Sequence, residues 1–147
     1  MDMELLEQEI SKIEASIDEY DEVDTVVMAD SIQAIEEAGY KLEAIEPLLQ
    51  LLERHPVAYF GDPGEIVHFI EGLGGDYEKY LLASVKRKPT VTTIWMINRC
   101  INAREDKKAL IDVLKEIIKR EDVEPYIRER AQDYIDFLPI PRIAPWN

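Results

Sequence analysis

Three groups of residues in this chain have the types and spacing that chemistry uses. Glu65, His68 and Glu71 stand at successive three-residue steps, so a helix there would set two carboxylates beside an imidazole, part of what a helical metal site needs. Such sites draw more ligands from facing helices, and the other histidine, His55, precedes a proline in a different context. A hydrogen-bonded or capping His68 is the plainer reading. The run Asp18-Glu19-Tyr20-Asp21-Glu22-Val23-Asp24 suggests calcium. Counted from Asp18, however, an EF-hand loop needs glycine sixth and glutamate twelfth, where this chain has Val23 and Ala29. Trp95, Asn98, Arg99 and Asn102 follow steps of three and four beside Lys86-Arg87-Lys88, giving one helix face an aromatic ring, amides and a guanidinium. That face suits an anionic or planar group. The plainer reading is that Trp95 and Asn98 lock neighbouring helices while Arg99 pairs with an acid.

None of these groups amounts to a catalytic centre. No Ser/His/Asp or Cys/His set is supported, and two histidines leave little room for acid–base work. Gly72-Leu73-Gly74-Gly75 closes a helix instead of opening one, so its amides make no phosphate cradle. The single cysteine, Cys100, excludes an internal disulfide and reads as a buried small hydrophobe. The expectation is a protein that is not an enzyme and needs no metal or cofactor. Its acidic run, Asp18, Glu19, Asp21, Glu22 and Asp24, is then either a solvated helix end and loop or a docking surface for a basic partner. The face of His68, Trp95, Asn98 and Arg99 is the second choice.

The elements that must position these residues are helices. Leu6, Ile10, Ile13, Ile17 and Tyr20 share one face of a first helix, with Glu7, Glu9, Glu14, Asp18 and Glu19 turned to water or a partner. Asp24 or Thr25 caps a second helix that turns Val27, Ser31, Ile35 and Ala38 inward and ends at Gly39. A third, over about 43–54, buries Ile45, Leu48, Leu49 and Leu52, holds Pro47 in its first turn and stops at His55-Pro56. In Tyr59-Phe60-Gly61-Asp62-Pro63-Gly64, Asp62 is the expected N-cap and Pro63 the first helical residue of a fourth helix. Asp76, Thr90 and Asp106 precede three more helices, and Pro125 opens the last, with Ile127, Ala131, Tyr134, Ile135 and Leu138 inward. No strand is needed. Starts near 44, 76 and 106 recur about every 30 residues, as stacked helix pairs do. The predicted fold is all-α, a short α-α superhelix of HEAT-like hairpins, with an irregular helical bundle as the alternative. One helical domain over 1–138 and a proline-rich tail over 139–147 complete the expected organisation.

The charge is lopsided. Residues 1–54 carry sixteen acids against three bases, a net of −13, and residues 55–147 fifteen against fourteen, a net of −1. A field of one sign draws a basic partner and disfavours nucleic acid and anionic membranes. With 147 residues, 46% of them hydrophobic, the chain can bury an ordinary core. The Met-Asp-Met-Glu start lacks the basic and apolar regions of a secretory signal, and no segment approaches a membrane span; a cytoplasmic monomer is the default expectation.

Tyr59-Phe60-Gly61-Asp62-Pro63-Gly64-Glu65-Ile66-Val67-His68-Phe69-Ile70-Glu71, followed by Ser84-Val85-Lys86-Arg87-Lys88-Pro89-Thr90 and Thr93-Ile94-Trp95-Met96-Ile97-Asn98-Arg99, resembles small helical immunity proteins encoded beside bacterial polymorphic toxins. The likeness covers about residues 57–120, and the first third departs from it most. It implies a cytoplasmic protein that binds a cognate toxin domain and blocks it without catalytic residues. The acids from Asp18 to Asp24 would then steer a basic, nuclease-type toxin, standing where phosphates normally lie. The Gly61–Gly64 turn and the Trp95–Arg99 face would hold the scaffold's shape. The opposing reading is a general helical-repeat adaptor that grips a protein or peptide without inhibiting it.

Overall fold

Helical periodicity dictates the architecture, and a computed structural model describing residues 2–103 and 106–138 shows an all-α chain. Among the described residues the elements are α1 (Glu4–Ala15), α2 (Thr25–Glu37), α3 (Ile45–Arg54), α4 (Glu65–Glu71), α5 (Tyr77–Arg87), α6 (Val91–Ala103), α7 (Lys108–Lys119) and α8 (Pro125–Asp136). A 3-10 turn, Leu42–Ala44, leads into α3. No strand is present among them, only an isolated parallel bridge between Glu22 and Tyr59. No described helix is long and apolar enough to cross a membrane. The expected tail, 139–147, lies outside the described residues.

Several expected caps form. Asp24 Oδ1 accepts from the amides of Val26 (3.0 Å) and Val27 (3.1 Å) at the start of α2. Thr90 and Thr93 cap α6 reciprocally: each hydroxyl accepts from the other's amide at 3.0 Å, and both residues are buried. Pro47 stands third in α3, where its missing N–H costs no helical bond. Pro125 opens α8.

Four local expectations change. First, α1 stops at Ala15, leaving Ile17 half-buried and Tyr20 76% exposed. Ser16 Oγ donates to the Ile13 carbonyl (2.7 Å), and Asp18 bonds to nearby amides, offering the backbone a non-helical alternative. Second, not all the acids of α1 face water: Glu9 is buried and holds Lys12 at 2.8 Å, and Glu14 is half-buried. Third, α2 buries Met28, Ser31, Ile32 and Ile35, while Ala38 is exposed. Its Val-Val-Met-Ala start is apolar all round, so periodicity alone does not select the inner face; packing does. Fourth, α4 begins at Glu65 with Gly64 as N-cap, two residues later than expected. Asp62-Pro63 is a cis peptide flanked by Gly61 (φ 109°) and Gly64 (φ 87°), so these residues form a turn before the helix.

Contacts gather into two compact units, Met1–Thr93 and Ile94 onward. In the first, α1 packs on α2 and α3, α3 on α5, and α2 on α4. In this unit α1, α3 and α5 thus form one row and α2 and α4 a second, with α1 and α2 packed as a pair. Its core includes Leu6, Ile13, Ile35, Leu48, Leu49, Phe60, Ile66, Ile70 and Leu81, all fully buried. Two carboxylate forks reinforce the first row. Glu14 of α1 accepts from Arg54 Nε (2.9 Å) and Nη2 (3.0 Å) at the end of α3. Glu53 of α3 accepts from Arg87 Nε (3.2 Å) and Nη2 (2.8 Å) on α5, with Ser84 Oγ at 2.7 Å. In the second unit α7 pairs with α8, and Ile94, Ile97, Ile101, Leu110, Leu114 and Ile127 are buried.

Candidate functional site

The acidic run occupies the connection from α1 to α2, and that connection is folded tightly. Asp18 organises it: Oδ1 accepts from the amides of Tyr20 (2.8 Å) and Glu22 (3.1 Å), its own amide donates to the Glu22 carbonyl (2.9 Å), and its carbonyl accepts from the Asp21 amide (3.1 Å). Asp21 adopts φ 59°, a left-handed conformation that Asp tolerates better than most residues. Ser16 closes the loop by accepting from the Asp24 amide at 3.2 Å. Two of the five predicted site residues therefore have local structural duties, Asp18 as turn former and Asp24 as helix cap. Glu19, Asp21 and Glu22 are exposed and leave their carboxylates to the surface.

A second loop clasps the first. The Tyr59 amide donates to the Asp21 carbonyl (2.7 Å), and the Val23 amide donates to the Tyr59 carbonyl (3.3 Å), with Val23 buried below. Tyr59 stays 47% exposed, and its hydroxyl donates to Asp62 Oδ2 at 2.6 Å. That bond, some loss of solvent, and the charges of Asp62 and Glu22 push the phenol above its ordinary pKa, so it remains a neutral donor. The exposed groups on the two clasped loops are Glu19, Asp21, Glu22 and Asp62 with Tyr20 and Tyr59, and the 67%-exposed Val26 follows at the start of α2. Sequence alone places Asp62 only in the shape-holding Gly61–Gly64 turn and gives Tyr59 no role in a site. Their part in this surface depends on main-chain pairing across α2 and α3, for which the sequence carries no local signal.

The second-choice residues fall in different units. His68 is exposed on α4 in the first. Trp95, Asn98 and Arg99 are half-buried on α6 in the second, where the Arg99 guanidinium lies 5.7 Å from the centre of the Trp95 ring, a cation–π pair. Arg87, from the neighbouring basic triplet, is engaged by Glu53. Among the described residues no group of three or more His, Cys, Asp or Glu side chains is placed to hold a metal ion. Cys100 is buried. Comparisons with models of protein families, with curated proteins and with solved structures find no match.

Proposed function

We propose that this chain is a non-enzymatic bacterial immunity protein that acts in the cytoplasm, binding and neutralising a basic, nuclease-type toxin domain. The observation that carries this reading is the clasped acidic loop. Its exposed carboxylates, Glu19, Asp21 and Glu22, are held on a turn fixed by main-chain bonds to Tyr59, with Tyr20 and Tyr59 beside them. Preorganised charge lowers the ordering cost of binding and speeds encounter with a basic surface, while tyrosine supplies contact area and a polar tip.

Co-expression with the neighbouring gene products tests it directly. Rescue of growth with a co-purifying complex is the expected result; rescue without a complex refutes neutralisation by binding. Changing Glu19, Asp21 and Glu22 to lysine should slow association at low salt by about a hundredfold while the helical circular dichroism stays intact. An unchanged rate removes the loop from the interface.

The two rows of helices in the first unit favour a second reading, a helical-repeat adaptor that binds a protein or peptide without inhibiting it. A complex with a partner that is not toxic on its own would select the adaptor.

A further inference from the structure

An open groove between the start of α1, the 3-10 turn and the sides of α3 and α5 plays no part in the acidic-loop surface. Met3, Leu42, Pro47 and Tyr80 give it apolar walls, Glu43 and Glu46 give it charge, and its volume is about 500 Å³. The Tyr40 hydroxyl donates to the Asp2 carbonyl, which fixes the chain just before Met3. Unlike Glu14 and Glu53, whose charges are met by arginine forks, Glu43 and Glu46 form no salt bridge among the described residues and feel cations only at longer range, Lys41 for Glu43 and Arg87 for Glu46. Both are exposed, and the Glu43 carboxyl is held below its ordinary pKa by its own amide and that of Lys41, so it is ionised at neutral pH. The Tyr80 ring already attracts a cation: Lys79 Nζ lies 5.2 Å from its centre.

We propose that this groove binds an extended, lysine- or arginine-bearing segment of a partner protein, with the aliphatic stem along Met3, Leu42 and Pro47 and the cation between Glu43, Glu46 and Tyr80. Long basic side chains divide in this way between apolar wall and charged rim. Charge complementarity selects such a segment over an acidic or purely apolar one, and the aromatic ring adds a cation–π contact. Lys79 would compete with the incoming cation for the Tyr80 ring. This inference does not rest on the toxin reading and would hold equally for an adaptor.

The test titrates the ¹⁵N-labelled full chain with a blocked Lys-Leu-Lys-Leu-Lys peptide and its Glu-Leu-Glu-Leu-Glu counterpart. Chemical-shift changes should centre on Leu42, Glu43, Glu46 and Tyr80, with no binding of the acidic peptide. Glu43→Gln with Glu46→Gln should weaken the basic peptide about tenfold. Lys79→Ala should tighten it about twofold by removing the competing cation, and Asp30→Asn with Glu36→Gln, which removes two exposed charges of α2, should leave it unchanged. Shifts centred on residues 18–24, equal weakening by both double variants, or binding of both peptides would overturn the proposal. The wild-type shift map decides alone if a variant does not fold.

Discussion

Glu14 closes α1 against the end of α3, with Arg54 on both carboxylate oxygens and His55 Nε2 at 2.7 Å. Its pKa is lowered from 4.5: the Arg54 hydrogen bonds are the largest cause, desolvation opposes them, and the His55 bond and the charges of Arg54 and His55 add to the lowering. A carboxyl whose folded pKa lies below its unfolded value adds stability that is full above the unfolded pKa and lost as pH falls through the folded one. Glu14→Gln should therefore be less stable than wild type at about pH 7, and the gap should narrow as the pH falls below 4.5, as urea denaturation across that range will show. Thr90 makes a sharper case, because its hydroxyl and that of Thr93 satisfy each other's amides out of water. Thr90→Ala should cost about 1–2 kcal/mol in the same assay, and Thr90→Ser should recover most of it. Thr90 and Asp24 were legible as caps because capping is local. Asp18 was legible only as a charge, since its main role is to hold amides of a turn that sequence periodicity had continued as helix.

Among the elements of the first unit, α3 stands between two neighbours. It buries Ile45, Leu48, Leu49, Leu51 and Leu52 and packs against both α1 and α5. Leu49→Ala should cost about 2–5 kcal/mol by chemical denaturation, removing transfer energy and leaving a cavity. The turn before α4 gives a second comparison. Gly64 and Gly74 both have positive φ, but a Cβ on Gly64 would meet the Phe60 carbonyl oxygen at 1.9 Å, whereas none lies within 4 Å at Gly74. Gly74→Ala should cost about 1 kcal/mol, the left-handed penalty alone, and Gly64→Ala about 3 kcal/mol or more as the backbone shifts. A melting series separates the two. Helix positions were readable wherever apolar residues alternated with charge, as in α3, α7 and the body of α1, though not its end. They blurred where a segment was apolar all round, as at the start of α2, and where the Asp62-Pro63 cap signature met two glycines that turn the chain before it can enter a helix.

Across the whole chain, the division into units sharpens the charge split. Residues 1–93 carry twenty-one acids and seven bases, a net of −14; residues 94–147 carry ten of each, a net of zero. The entire net charge belongs to the unit that holds both the clasped loop and the groove. If that field steers a basic partner, the association rate should fall about tenfold or more from low salt to about 0.15 M, with a smaller change in dissociation, measurable by stopped-flow mixing. Equal rates at both salts would mean the field is not used. The sign and place of the charge were plain from composition. The two-unit division was not, because it follows from which helices touch, and helices of similar length and spacing run through the boundary near residue 93.

The pairing of Asp21 and Val23 with Tyr59 also bears on when the acidic surface comes into being. Closing it brings together segments separated by the whole of α2 and α3, and such closure costs far less entropy once the intervening helices have docked. The charges exist as soon as residues 18–24 leave the ribosome, but their arrangement waits for the turn after α3. A nascent or truncated chain would therefore be acidic without being selective, and its amides at Val23 and Tyr59 would exchange freely with solvent until the clasp had formed.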